Sequence, residues 1–388
     1  MNTISPWLNQ KQTFMFFKGR VALHAILRSA NIGSGDQVLL PGYTCVVVPN
    51  AINYLGAEPV YLDIEDKTYN IDCDILEDGA GSLWNPEQAK AIIVQHTYGI
   101  PCDMDRIRKF AQKYSLIIIE DSCHALGSKW CGQEVGSFGE AAFFSSQWSK
   151  PITTGLGGWA QINSSSLQDN MEIILQKYKQ PKLSKALLLE LQFLAFSSLN
   201  HPRLYCIIQD IYRALGKMGL AIGSSTGTEL SCQLPADYEL GMHPIQRRRL
   251  LKLLDGLTGV IAQRNQNTEI IEASLVKAGI PTVVLPIGCD PVFLRYPIKV
   301  NNKEEVLNKA KKQNIQIGDW FLSPIHPNLE NMGLAGYISG SCPVAENAAR
   351  KVINISTDVE MNKKEINRIV EFLVKHAEIT VSARAFNE

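Results

Sequence analysis

A single lysine, Lys150, stands between the polar segment Ser145-Ser-Gln-Trp-Ser149 and a loop rich in threonine and glycine, Thr153-Thr-Gly-Leu-Gly-Gly158. The apolar run before it, ending at Phe144, reads as a buried strand. An amine held there can attack a carbonyl and form an imine, provided it loses its proton near neutral pH. Partial burial beside another positive centre depresses the pKa enough for that. Gly155, Gly157 and Gly158 let backbone pass close to a bulky group next to the amine. Taken alone, Lys150 also fits an exposed loop lysine beside a glycine turn.

A second segment, Leu116-Ile-Ile-Ile-Glu-Asp-Ser-Cys-His-Ala-Leu-Gly127, changes the balance. Its four apolar residues, three of them β-branched, read as a parallel strand buried on both faces that ends in Glu120 and Asp121 as the chain turns. Carboxylates at the carboxyl end of such a strand face the ligand crevice, although Asp121 as a helix cap is the competing reading. A lysine able to make an imine and an acid able to keep a heterocyclic nitrogen protonated are the two groups that pyridoxal phosphate chemistry needs from a protein. Lys150 and Asp121 are therefore the candidate catalytic pair.

These segments, with Gly19-Arg-Val-Ala-Leu-His24, Gly35-Asp-Gln-Val-Leu-Leu-Pro41, Gln95-His-Thr-Tyr-Gly-Ile-Pro-Cys-Asp-Met-Asp105 and Cys342-Pro-Val-Ala-Glu346, resemble the sugar aminotransferases of the DegT/StrS group, fold type I pyridoxal phosphate enzymes. The resemblance runs from about Phe16 to Gln161 and again from about Asp290 onward, and is looser between. It implies an α/β fold type I transferase whose mainly parallel, seven-stranded sheet carries helices on both faces, joined to a smaller C-terminal α/β domain. It also implies that pyridoxal 5'-phosphate is the cofactor, with no metal. Lys150 would hold it as an imine and Asp121 would keep its ring nitrogen protonated. By similarity Gly19, Arg20, Val21 and Ser145 face the phosphate, His124 lies near the ring hydroxyl, and Gln147 sits beside the cofactor. Arg20 stands where the group often has a hydroxyl. Cys45 stands where an aromatic residue commonly stacks on the ring, so either Tyr43 swings over or the ring meets a smaller, softer face.

The partners implied are an amino-acid donor, glutamate or glutamine, and a keto sugar, nucleotide-linked by similarity, in cell-surface polysaccharide or secondary-metabolite biosynthesis. A homodimer with active sites near its interface is implied as well. Lys150 speaks against the dehydratase branch, which has histidine in that position. A cofactor-dependent lyase or dehydratase on the same scaffold, or a non-catalytic binding or regulatory homologue, remains as an alternative.

The elements that must position these groups follow from periodicity. Strands are expected at 37–40, 59–62 and 91–95, alternating with helices at 20–30, 44–54 and 103–114, the rhythm of a parallel sheet covered on both faces. Two apolar helical patterns, 186–196 and 204–215, interrupt the resemblance and could cover the site, pad a dimer interface or rest on a membrane surface. The loop 223–228 reads as a flexible lid. Further on, the reading expects a helix at 246–273, strands near Val283 and at 293–300, and helices at 303–313 and 363–376. Arg247 to Arg249 reads as a solvated helix face or an anion site, and Trp320 and His326 as the substrate entrance or a packed aromatic loop. Leu156, where an acid is frequent in the group, points to a less polar substrate side. The domain division expected is 1–245, with a helical insertion at 164–241, and 246–388.

Composition narrows the function classes. The chain has 388 residues, and Lys plus Arg equals Asp plus Glu at 38 each, which leaves no global basic field for nucleic acid. Nine cysteines without a Cys-x-x-Cys pair argue against a disulfide framework or a zinc site, and favour a cytoplasmic setting. Met1 to Trp7 lacks the basic start and apolar core of a signal peptide, and no stretch approaches the roughly 20 apolar residues of a membrane span.

Overall fold

The computed structural model describes residues 12–199, 211, 214, 216, 221–223, 225, 227–327 and 332–380. The strands in chain order are β1 Thr13–Phe16, β2 Gln37–Pro41, β3 Thr44–Cys45, β4 Glu58–Leu62, β5 Ala89–Gln95, β6 Ile117–Asp121, β7 Lys129–Trp130, β8 Gln133–Glu134, β9 Ala141–Ser145, β10 Gly158–Ile162, β11 Cys289–Asp290, β12 Arg295–Lys299, β13 Ile325–His326 and β14 Val352–Ser356. Seven of them form one sheet in the order β1-β10-β9-β6-β5-β2-β4. Only β10 runs against the others. The expected mainly parallel, seven-stranded sheet is what forms.

Strand periodicity explains how that sheet holds a helix on each face. Val38, Leu40, Ile93 and Ile119 point to the side packed by Val21, Leu23 and Ile26 of the helix α1, Gly19–Ser29. Their chain neighbours Leu39, Ile92 and Ile118 point to the other side, against Ile107 and Phe110 of the helix Met104–Tyr114. Asp103 caps that helix as expected, accepting from the Arg106 N–H at 3.0 Å. Successive βα units therefore put the carboxyl ends of β5, β6 and β9 on one rim, and Asp121 and Ser145 with them.

The C-terminal part has its own core. β12 and β14 pair antiparallel, and Ile298, Ile353 and Ile355 pack with Ile271, Val306 and Ile369 of the helices Leu257–Lys277, Lys303–Lys312 and Lys363–His376. A short parallel ladder, β13 on β3, ties this part to the rim of the large sheet, with His326 opposite Cys45.

Several expectations are corrected. The segment 44–54 is not one helix: Thr44–Cys45 is the short strand just described, and the helix is Val47–Asn53. The helix expected at 246–273 is two, Pro244–Asp255 and Leu257–Lys277, broken at Gly256. Val283 lies in irregular chain, its N–H donating to the Tyr296 hydroxyl at 2.8 Å. The first insertion helix, Leu183–Leu199, forms as its pattern predicts. Of the second pattern, 204–215, all but Ile211 and Ala214 lie outside the described residues, as do Ser224 and Thr226 of the expected lid loop and residues 1–11.

The insertion helix covers the lysine loop. Phe193 and Phe196 pack on Trp148 with ring centroids 6.4 and 5.0 Å away, and Leu189 joins Leu156 and Phe17 in a buried cluster. Leu156 therefore faces a core and not a substrate, which corrects that reading. Arg249 is also no part of a solvated face: it pairs with Glu190 of the insertion and stacks its guanidinium on Phe193 at 3.7 Å. No described helix is long and apolar enough to cross a membrane.

Candidate active site

Glu120 and Asp121 end the same strand but point to opposite faces. Glu120 is fully engaged: it accepts from the N–H groups of Gly136, Phe138 and Gly139 at 2.6, 2.7 and 2.9 Å and contacts His96 at 3.2 Å. It holds the β7–β9 connection. Asp121 accepts from the Cys123 N–H at 3.0 Å, leaving most of its carboxylate capacity for something else. Burial pushes its carboxyl pKa up, and the positive charge of Lys150 is the foremost influence pulling it back.

Lys150 lies on the loop after β9, its backbone N–H bonded to the Gln147 carbonyl at 2.9 Å. Its Nζ stands 5.2 Å from the centre of the Trp320 indole. The same indole stacks on the His124 ring, with centroids 5.2 Å apart and planes 18° from parallel. His124 is buried with Nδ1 lacking a partner, and burial, then Lys150, Arg295 and His326, push its pKa well down, so it is neutral. The structure thus brings Lys150 and His124 together at one wall made by Trp320, with buried Asp121 near enough to feel the Lys150 charge. His326 closes the side next to Cys45; burial and the surrounding cations lower its pKa to about 4, and its Nδ1 accepts from the Leu322 N–H at 3.2 Å.

The question of Tyr43 is answered by its surroundings. It is fully buried, its hydroxyl 2.9 Å from the Tyr98 hydroxyl and accepting from the Phe321 N–H at 3.3 Å. It does not swing over the site. Cys45 remains half-buried on β3, and Trp320 supplies the aromatic surface from the C-terminal part.

At the other end, the N-terminus of α1 meets Ser145. A Cβ placed on Gly19 would lie 3.0 Å from the Phe144 carbonyl oxygen and 3.0 Å from Ser145 Cβ. The first N–H groups of a helix have no partner within it, so this is a seat for an anion. Arg20 does not face that seat: its Nη1 donates to Glu229 at 2.6 Å and to Ser225 at 3.2 Å. Val21 buries its side chain in the core, and its N–H is bonded to the Lys18 carbonyl at 3.1 Å. Of the three expected phosphate contacts at the helix start, Gly19 is the one whose placement leaves backbone open beside Ser145. Gln147 is half-buried on the lysine loop, its N–H 3.4 Å from Ser145 Oγ.

The fit to pyridoxal phosphate rests on the two ends. A buried acid beside the lysine, an orphaned His124 Nδ1 and a second orphan, Ser122 Oγ, mark one end, and a side-chain-free helix start marks the other.

Residues 4–187 and 208–374 match the DegT/DnrJ/EryC1/StrS aminotransferase family. The chain belongs to that family. It is a pyridoxal-phosphate-dependent aminotransferase, and the central sheet, the rim and the lysine loop are the family's fold. The GDP-perosamine synthase of Caulobacter vibrioides is 39% identical over 156 residues, 40% of this chain and 41% of that relative. A UDP-N-acetyl-3-dehydro-alpha-D-glucosamine 3-aminotransferase of Acidithiobacillus ferrooxidans is 27% identical over 353 residues, 90% of this chain and 80% of that one. Among solved structures, DesV of S. venezuelae superposes with a TM-score of 0.69 at 20% identity, covering 95% of this chain and 89% of its own.

Three charged residues of this aminotransferase that pack near these groups were not singled out by the sequence. Arg295 opens the strand Arg295–Lys299, and a buried charge just before Tyr296-Pro-Ile298 was the available signal. Glu229 and Lys18, which pair at 3.3 Å beside α1, are 211 residues apart and left no local mark.

Proposed function

We propose that this aminotransferase moves an amino group from glutamate or glutamine to a keto sugar carried on a nucleotide, in the making of a cell-surface polysaccharide or a secondary-metabolite sugar. The observation that carries the reading is the meeting of Lys150 and His124 at the Trp320 wall, with buried Asp121 within reach of the Lys150 charge. When bound, the cofactor supplies an electron sink for the substrate carbon. Asp121 would keep the ring nitrogen protonated, neutral His124 would stand by the ring hydroxyl, the Gly19 helix start and Ser145 would hold the phosphate, and Gln147 would sit beside the cofactor. The Lys150 amine would hold the cofactor, and as a base would move the proton at the substrate carbon. A placed base of this kind is worth about 10²–10⁴-fold.

The names of the relatives just described support a sugar as acceptor, and the near-neutral composition argues against a polyanion partner. The separate core of the C-terminal part supports the division at about residue 245, the rim between the parts forming the cleft. A homodimer in the cytoplasm is the working form that completes the reading. The test is spectroscopic. The protein loaded with pyridoxal phosphate should absorb as an imine, and L-glutamate should bleach that band, with a keto sugar restoring it. Lys150→Ala should lose the band and turnover; full turnover in that variant would refute the mechanism.

A further inference from the structure

The insertion helix Leu183–Leu199 turns an uncharged, leucine-lined face to solvent. Leu183, Leu187, Leu191 and Leu194 are 60, 50, 66 and 58% exposed, while Leu189, which meets Leu156, is fully buried. Steps of four, four and three residues keep those leucines on one side of a helix. Every charged or amide side chain of the helix is drawn elsewhere. Lys185 pairs with Asp237, Glu190 pairs with Arg249, and Gln192 Oε1 accepts from the Ile222 N–H at 3.2 Å. What else is exposed among the leucines is small: Ser184, Ala195 and Ser198. The Ser198 hydroxyl donates back to the Leu194 carbonyl at 2.9 Å, so its proton asks nothing of solvent.

Cations lie directly before this face. Lys177, Lys179 and Lys182 are exposed and pair with no acid among the described residues. Asp237 and Glu239, on the chain that runs beside Lys179, are taken by Lys185 and Arg28. The stretch 176–220 has seven Lys or Arg against two acids, in a chain with 38 charges of each sign. Its second apolar pattern continues the exposed character, with Ile211 54% exposed. An apolar stripe beside unmatched cations is the pair of signals that holds a protein on an anionic lipid surface, where one signal alone gives only marginal binding.

We infer that this helix docks the enzyme on an anionic lipid bilayer, its leucines reaching the acyl boundary and Lys177, Lys179 and Lys182 meeting lipid phosphates. The helix lies on the surface and does not cross it. Its 17 residues at about 1.5 Å each give about 26 Å, short of the about 30 Å of a hydrocarbon core. A second copy of this chain is the rival occupant. Four leucines exposed to this degree fall well short of the about 800 Å² that each partner buries in a standard interface, and the face offers no acid to the copy's lysines. The inference goes beyond the transamination reading and adds a place of work to it. The buried side of the same helix packs on Trp148, two residues before Lys150, so the bilayer would lie about one helix diameter from the lysine loop.

The experiment floats the full chain, loaded with pyridoxal phosphate, on vesicles of phosphatidylcholine alone and of phosphatidylcholine with an equal part of phosphatidylglycerol. Binding to the anionic vesicles is expected to be about 10²-fold tighter, and to fall away as salt rises from about 0.05 to about 0.5 M. Lys177→Gln, Lys179→Gln and Lys182→Gln together should erase that preference. Leu187→Gln with Leu191→Gln should weaken binding to the anionic vesicles about tenfold or more at every salt concentration. These side chains touch nothing in the site, so the donor half-reaction in solution should match wild type in both variants. A wild type that binds neither vesicle overturns the inference, as does binding that is equal on both and indifferent to the lysines. Light scattering covers the rival: a wild-type oligomer that ignores vesicles and comes apart in the leucine variant assigns the face to a second copy. Flotation needs no turnover. A chain that floats as described yet fails with every amino acid would sink the proposed function and leave the docking surface standing.

Discussion

Gly158 meets Gly19 backbone to backbone: a Cβ placed on Gly158 would stand 2.3 Å from the Gly19 Cα and 2.4 Å from its nitrogen. Gly158 also opens β10 opposite Ser145 in the register of β9. Three segments distant in sequence, the start of α1, the end of β9 and the exit of the lysine loop, therefore touch with no side chain between them. That junction sets the distance between the start of α1 and Lys150, because the loop must run from Ser145 to Gly158.

Gly158→Ala should consequently separate two effects that are usually confounded. The atoms in the way are backbone, so they cannot rotate aside, and overpacking of this sort costs about 1–3 kcal/mol, sometimes more. Denaturant unfolding should register that loss. Pyridoxal phosphate affinity should fall further than stability alone explains, since the helix start is pushed off Ser145. Unchanged affinity in a folded Gly158→Ala protein would remove the junction from the binding argument.

A second junction holds the insertion to α1. Glu229, 1% exposed on the short helix Gly227–Leu230, accepts from Arg20 at 2.6 Å and from Lys18 at 3.3 Å, and its carbonyl accepts from Asn50 at 2.7 Å. Removing the carboxylate leaves buried cations unmatched, which typically costs about 3–5 kcal/mol. Glu229→Gln should lose stability on that scale in urea unfolding. The double variant Arg20→Met with Glu229→Gln should lose less than the two single losses combined, because it removes both charges.

The same cluster gives the stability a dependence on pH. Burial, then the neighbouring Arg20 charge, lowers the Lys18 pKa from 10.5 to about 8, with Glu229 opposing. Between about 8 and 10.5 the unfolded chain binds more protons at this site than the folded one, so stability rises with pH there and the gain is absent below about 8. Wild type minus Lys18→Met, measured as unfolding free energy from pH 7 to 10.5, should show that positive slope. A difference that stays flat across the window would mean Lys18 is not desolvated as described.

Much of the large sheet and half of the site were legible because they are written locally. Ile117 to Asp121 spells a buried strand with acids at its end, and Lys150 lies on the loop that follows the next apolar run. What escaped was distributed. Trp320 could be named as a possible lining residue, but that it faces Lys150 depends on β13 pairing with β3, a contact between residues some 280 positions apart. The helix expected at 44–54 failed for the same reason, since the pairing with Ile325 and His326 takes Thr44 and Cys45 out of helical reach. Arg20 was placed correctly at the helix start and wrongly aimed, because Glu229 claims its guanidinium from the insertion.

Lys303 controls where Trp320 stands. Its ammonium is buried and donates to the carbonyls of Asp319 at 3.2 Å, Phe321 at 2.8 Å and Ala349 at 2.8 Å, so it fastens the backbone on both sides of the tryptophan to the helix Pro343–Lys351. Lys303→Met keeps the apolar stem and removes three charge-assisted bonds at once. Each such bond contributes about 1.5–3 kcal/mol, and the orphaned carbonyls add their own cost, so a loss of about 3 kcal/mol in unfolding is a conservative expectation. The more telling readout is local. Hydrogen exchange should accelerate across 318–323 while β5 and β6 keep their protection, and kcat/KM for the amino donor should fall about tenfold as the wall beside Lys150 loosens. If exchange at 318–323 stays slow while overall stability drops, the ammonium supports the C-terminal core alone and the tryptophan is positioned by the β3–β13 ladder.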